Sequence, residues 1–136
     1  MRHVWLALFL TICAVAFIKP TNAADSTGAP MTAAPIVFFD IAGPDAAKLK
    51  DFYAGNFGWK IDSANLVETP QLSGALRQDP PEKILYIGVP DLDAAIKKVT
   101  DSGGEIVTPK IPIPTGTFVL FKDPAGNRMG LVQLER

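Results

Sequence analysis

Hydrophobic and polar positions follow a pattern that occurs twice between residues 35 and 136. Ile36 to Ile41 is a short apolar run with Phe38 and Phe39 at its centre, interrupted by Asp40 and followed by Gly43-Pro44. This predicts a buried strand leading into a helix, with Pro44 at the first helical position and Asp45 at the positive end of the helix dipole. Leu49, Phe52, Tyr53 and Phe57 then recur at three- and four-residue spacings, and Gly55-Asn56 and Gly58 bound the helix end. Trp59 to Ile61 opens a second expected strand, and Leu66-Val67 and Ser73 to Arg77 read as shorter ones. Asp79-Pro80-Pro81 breaks the pattern and separates two halves.

The second half repeats the plan. Ile84 to Val89 reads as a strand. Asp91-Leu92-Asp93 opens a helix with Ala95, Ile96 and Val99 on one face, and Gly103-Gly104 stops it. Glu105 to Val107, Thr117 to Phe121 and Met129 to Leu134 follow as strands, with Ile111-Pro112-Ile113-Pro114 and Thr115-Gly116-Thr117 read as a loop. An offset of 46 residues places Pro44-Asp45 on Pro90-Asp91, Tyr53 on Val99, Gly58 on Gly104 and Ile61 on Val107. The chain therefore reads as two copies of a strand-helix-strand-strand-strand unit. Asp123-Pro124-Ala125-Gly126-Asn127 has the residues of a tight turn and is expected to join the last two strands, with no catalytic role.

Ahead of these units the pattern differs. Met1-Arg2-His3 is a short basic start, and Val4 to Ile18 is a 15-residue run broken only by Thr11, short for a membrane span. It reads as a signal peptide over residues 1–23, with cleavage after Ala23 or, second, Ala24. An uncleaved anchor and lipidation at Cys13 are the alternative readings. Residues 24–34, rich in Ala, Ser, Thr, Gly and Pro, read as a flexible spacer before a domain of residues 35–136, its modules about 35–79 and 82–136. The expectation is an exported protein, periplasmic or secreted, with no stable membrane span once the leader is removed.

Charge and composition then narrow the chemistry. The 136 residues carry 13 Lys+Arg against 14 Asp+Glu, a net charge of -1, so nothing marks a nucleic-acid partner. Apolar residues make up 48% and charged ones 20%, a globular composition. Removing residues 1–23 takes away Arg2 and Lys19, leaving 11 basic residues against 14 acidic ones and a net charge of -3. It also takes away His3 and Cys13, the only His and Cys. The remaining chain has no residues for a Ser-His-Asp or Cys-His mechanism, for zinc held by imidazole or thiolate, or for a two-His-one-carboxylate iron site.

The residues from 35 onward resemble the vicinal oxygen chelate superfamily of glyoxalases, bleomycin-resistance proteins and extradiol dioxygenases. The resemblance rests on Phe52-Tyr53 followed by Phe57-Gly58-Trp59, on Tyr86-Ile87-Gly88-Val89-Pro90-Asp91-Leu92-Asp93-Ala94, on Gly103-Gly104, and on Asp123 to Asn127 leading into Gly130-Leu131. It implies an α+β fold of two βαβββ modules whose curved mixed sheets surround a shared cleft, where metal and substrate bind. The family's metal ligands lie on the first and last strands of each module. Carried over, the first-strand positions fall on Phe38 and Ile84, and the last-strand position of the second module falls on Gly130. The fourth lies between Ser73 and Arg77, without a secure alignment. No metal and no cofactor are expected.

Strand alternation puts Phe38 and Asp40 on one face of the first strand, and Ile84, Tyr86 and Gly88 on one face of its counterpart. A cleft lined by Phe38, Ile84, Tyr86, Gly130 and Val132 with a carboxylate at Asp40 would suit a small, partly apolar or aromatic molecule. The competing reading is that these aromatics fill the space a metal site takes in relatives. Asp40 is a candidate general base, or the partner of Arg77 or Arg128 in an ion pair between strands. Tyr86 is the second candidate acid–base group or a hydrogen-bond donor. Trp59 is a candidate stacking surface, or a core anchor. Three functions follow: sequestration of a small molecule, metal-independent catalysis by Asp40 and Tyr86, or a protein-interaction module with a filled cleft. A homodimer is compatible with each.

Overall fold

The computed structural model describes residues 32–136, so the expected leader, its expected cleavage site and most of the expected spacer lie outside the described residues. Eleven elements follow in order: β1 (Ile36–Gly43), α1 (Ala46–Phe57), β2 (Lys60–Ile61), β3 (Leu66–Glu68), β4 (Ser73–Gln78), β5 (Glu82–Gly88), α2 (Leu92–Asp101), β6 (Glu105–Ile106), β7 (Ile111–Ile113), β8 (Gly116–Lys122) and β9 (Arg128–Leu134). The strands form one curved mixed sheet of nine, in the order β2-β3-β4-β1-β5-β9-β8-β6, with β7 also on β8. This is the α+β arrangement of two βαβββ modules. The first and last strands of each module are parallel neighbours, β1 with β4 and β5 with β9, and the modules join through antiparallel β1 and β5.

The repeat is closest at the helix starts. Asp45 and Asp91, 46 residues apart in the sequence, are both N-caps in extended conformation. Their carboxylates accept the amides of Lys48 and Ala94, each at 3.0 Å, which satisfies one otherwise unpaired donor in each first turn. Pro44 consequently precedes the cap instead of occupying the first helical position. At the helix ends the repeat slips by one residue. Gly58 closes α1 in the left-handed conformation, whereas in α2 that conformation belongs to Gly103, after the cap at Ser102. Ile61 therefore corresponds to Ile106 and not to Val107.

A second departure from the expected elements is β7. The segment read as a loop pairs with β8, Ile111 opposite Phe118 and Ile113 opposite Gly116. Pro112 is tolerated because a strand in this position needs bonds on one side only. The final turn is as expected: the Asp123 carboxylate accepts the amides of Ala125 and Asn127 and the Asn127 side chain at 2.8–2.9 Å, and Gly126 takes a positive φ of 91°.

The helices pack on the same side of the sheet in different ways. Leu92 of α2 is buried with Val119, Phe121 and Leu131, and Ala95, Ile96 and Val99 pack against them. In α1 only Ala46 is buried. Of the four apolar residues expected on its inner face, Phe52 and Phe57 stay 54% and 61% exposed, and the helix contacts the sheet through an aromatic cluster. Tyr53 stacks on Trp59 at 4.8 Å with an interplanar angle of 9°, and Trp59 in turn meets Phe39.

Candidate functional site

The side of the sheet opposite the helices is built from residues that alternate with this packing. Strand register sets it out in rows. One row runs Lys60, Glu68, Ser73, Phe38, Tyr86, Gly130, Leu120 across seven strands. The next runs Leu66, Ala75, Asp40, Ile84, and a third brings Arg77 beside Ala42 and Glu82. Residues opposite one another in a sheet share a face, so Phe38, Asp40, Ile84, Tyr86 and Gly130 do lie together, and Val132 follows Gly130 on the same face.

Trp59 does not join them. It stacks between α1 and Phe39, whose side chain points to the helix side of β1, and this places Trp59 in the packing layer, away from the residues of the opposite face.

The centre of this face is filled with aromatic rings. Tyr86 meets Phe38 edge-on at 5.7 Å and Phe118 edge-on at 5.6 Å, and its ring lies directly over Gly130. A Cβ at position 130 would fall inside that ring, so glycine is required there by the close approach. Ile84 and Val132 are buried, at 1% and 4% exposure, and have no surface to offer a ligand.

Asp40 is also buried, and Arg77 is its partner. The Arg77 Nε donates to both Asp40 oxygens at 3.2 and 3.1 Å, one guanidinium nitrogen pairs with Asp79, and the other donates to Glu82 at 3.3 Å. Arg128 completes the chain by pairing with Glu82 at 3.1 Å. Burial alone would lower the Arg77 pKa, but the three carboxylates outweigh it, and the value is raised. The network ties β1, β4, β5 and β9 together. A cavity of about 460 Å³ beside it is lined by Arg77, Asp79, Pro80, Pro81, Glu82 and Arg128.

The Tyr86 hydroxyl accepts or donates no hydrogen bond among the described residues. Burial first, and then the charge of Asp40, pushes its pKa up to about 12, so at neutral pH it is a proton donor and not a base.

A second cavity, of about 440 Å³, lies on the first module, beside Phe38. Lys60, Leu66, Glu68 and Ser73 line it, all on the same face as Phe38 by register. Its size is within the range of small-molecule sites. Of the residues singled out in the sequence only Phe38 reaches it. The other four carry little pattern in the sequence: Lys60, Leu66 and Glu68 lie on strands of two or three residues, and Ser73 is at a strand's first position. The available signal was the alternation of Leu66, Val67 and Glu68, in which Val67 is buried and its neighbours are exposed.

Register supplies the remaining metal position implied by the resemblance. Phe38 and Ile84 are equivalent at the offset of 46, and register then makes Ala75 the counterpart of Gly130. The four positions therefore carry Phe38, Ala75, Ile84 and Gly130, none with a donor atom on its side chain, and the Tyr86 ring covers the last. Among the described residues no group of three or more His, Cys, Asp and Glu side chains is placed to hold an ion. These residues do not fit a metal at that position.

The profile of the Glyoxalase/Bleomycin resistance protein/Dioxygenase superfamily matches residues 35–131. The chain belongs to this superfamily. Among curated relatives, CFP32 of Mycobacterium tuberculosis, named provisionally as a glyoxylase, is 30% identical over 116 residues, covering 71% of this chain and 44% of the relative. The anthracycline biosynthesis protein DnrV of Streptomyces peucetius is 28% identical over 121 residues, covering 65% of this chain and 43% of its own. The chain thus spans less than half the length of these relatives. Among solved structures, methylmalonyl-CoA epimerase from Mycobacterium tuberculosis has a TM-score of 0.55 at 16% identity, over 74% of this chain and 88% of that one. A superfamily member from Vibrio splendidus 12B01 has 0.57 at 12% identity, over 76% and 100%. At such identities the superfamily member and the epimerase share the fold with this chain. Among the described residues no helix is long and apolar enough to cross a membrane.

Proposed function

We propose that this superfamily member is an exported, metal-independent protein that binds a small, partly apolar or aromatic molecule by sequestration, in the first-module groove beside Phe38. The observation that carries the reading is the groove itself: an open cavity of about 440 Å³ with Phe38 and Leu66 as apolar walls and Lys60, Glu68 and Ser73 as polar fixing groups. Metal independence is supported by the four donor-free positions, Phe38, Ala75, Ile84 and Gly130, and by a sequence without His or Cys beyond Cys13. Export is supported by the leader pattern of residues 1–23, and a homodimer is part of the proposal.

Catalysis by Asp40 and Tyr86 has less support. The Asp40 carboxylate is engaged by Arg77, and a hydroxyl pushed up to about 12 does not serve as a base at neutral pH.

Thermal shifts of the purified protein over a panel of aromatic and aliphatic small molecules test the reading. Compounds that raise the Tm of the native chain are expected to lose their effect in Ser73→Trp, which places an indole in the groove from an exposed position. Shifts that survive this substitution would place the ligand elsewhere, and no shift across the panel would sink sequestration. Metal analysis after purification tests the other half, and stoichiometric zinc, nickel or iron would contradict it.

A further inference from the structure

The groove beside Phe38 has a pair of oppositely charged polar walls. Lys60 and Glu68 are directly opposite each other on β2 and β3, a position where opposite charges ordinarily pair. Both are exposed, both line the cavity, and neither enters an ion pair or a side-chain hydrogen bond among the described residues. Some charges of this chain do pair, Lys48 with Asp45, Lys97 with Asp101, Lys110 with Asp93 and Arg128 with Glu82, whereas Glu105 and Lys122, likewise opposed on β6 and β8, also stand unpaired; Lys60 and Glu68 are the opposed pair that lines this cavity. An ammonium and a carboxylate thus stand side by side on the wall of a cavity with Phe38, Ile61, Leu66 and Val67 as apolar lining, each with its bonding capacity free, while the other lining carboxylate, Asp62, is engaged by the amides of Ala64 and Leu66. Ser73, next in the same row, adds a hydroxyl, and Phe38 closes the row with an aromatic wall.

Resting on the ligand-binding reading above, we propose that the groove is selective for a zwitterionic ring compound of the amino-acid class. Its ring lies against Phe38 and Leu66, its anionic group meets Lys60, and its ammonium meets Glu68. A molecule with one charge would satisfy one wall and leave the other facing an apolar ligand. A zwitterion matches both, and its two charged groups are separated by a few bonds, as befits side chains from directly opposed positions. Neither charge is buried, so neither carries the desolvation cost that would favour a neutral ligand.

Four probes with the same ring separate the contributions: L-phenylalanine, 3-phenylpropanoate, 2-phenylethylamine and 2-phenylethanol, titrated calorimetrically into the purified native chain at low salt. L-phenylalanine is expected to bind best, and loss of either charge to weaken binding by about two- to fivefold, the range of an exposed ion pair. Lys60→Met should abolish the advantage of L-phenylalanine over 2-phenylethylamine while keeping its advantage over 3-phenylpropanoate. Glu68→Gln should do the reverse. Both side chains are exposed, so both variants should retain the native Tm. Equal affinity for all four probes, or a preference for 2-phenylethanol, would overturn the zwitterion and leave sequestration of apolar rings standing. Variants that weaken all four equally would also overturn it. Silence from all four, together with silence from the broader panel, would overturn both.

Discussion

The two modules use the same packing device on opposite faces of the sheet. In the first, the Phe39 ring of β1 covers Gly74 of the parallel neighbour β4, on the helix side, where a Cβ at position 74 would come within 2.5 Å of it. In the second, the Tyr86 ring of β5 covers Gly130 of the parallel neighbour β9, on the side away from the helices. The consequence is a division of labour. Under α1 the aromatics Phe39, Tyr53 and Trp59 fill the helix layer, and the other face keeps Ser73 and Ala75 and an open groove. Under α2 the layer is mainly aliphatic, with Phe121 as its aromatic member, and the other face is filled by Tyr86, Phe118 and Leu120. One-residue changes in where the aromatic and the glycine fall decide which half keeps an open groove, because alternate residues of a strand point to opposite faces.

The comparison breaks most visibly at Gly130. Gly130→Glu restores a carboxylate at a family ligand position, but the new side chain must displace Tyr86, and an expected loss of about 3 kcal/mol or more is measurable by urea unfolding. Ser73→Glu, in the same row of the first module, should cost less than about 0.5 kcal/mol because its position is exposed. Combining Gly130→Glu with Tyr86→Ala should cost less than the separate losses together, and additive losses would show that the ring is not what excludes a side chain.

The helix layers give the next largest contrast. Leu92→Ala in α2 removes a side chain that is 3% exposed, at a cost of about 3 kcal/mol. Phe52→Ala in α1, at a position 54% exposed, should cost less than about 1 kcal/mol. A comparable loss at both would mean that the α1 aromatics carry the same share of the core as the α2 aliphatics.

The ion network joins the two modules, and Arg77→Met leaves Asp40 buried without its partner. About 2 kcal/mol is expected, reduced from the value for a fully buried pair because Arg77 is partly exposed, and Asp40→Asn in the same background should recover part of it. No recovery would show that the loss comes from Arg77's other partners.

A smaller effect appears at high pH. The Tyr86 hydroxyl has a folded-state pKa of about 12, above its ordinary value of about 10. Its contribution is therefore complete below pH 10 and is lost as the pH rises through the folded value, by about 1 kcal/mol after allowance for solvent at a half-buried ring. Tyr86→Phe keeps the ring over Gly130 and should flatten the fall in stability between pH 10 and 12. An unchanged profile would assign that fall to other groups.

Much of the fold was legible in the sequence because its signals are local. Apolar runs, an Asp at each helix start, glycines at each helix end and the Asp123 turn act over a few residues, and their recurrence at 46 residues revealed the two modules. The absence of His and Cys beyond residue 13 likewise needs no coordinates, and neither do Phe38, Ile84 and Gly130 at positions where the resemblance implies metal ligands. Strands β2 and β3, with two and three residues, carry too little pattern to show which of their side chains share a face with Phe38. Register, which is set by pairing between distant segments, aligned Ala75 with Gly130, placed Lys60 and Glu68 beside the groove, and sent Trp59 to the helix side. Composition thus determined which side chains residues 14–136 offer, with no imidazole and no thiol among them. Only the tertiary structure decided where space remains, because a cavity depends on which side chains meet across strands and not on which residues are present.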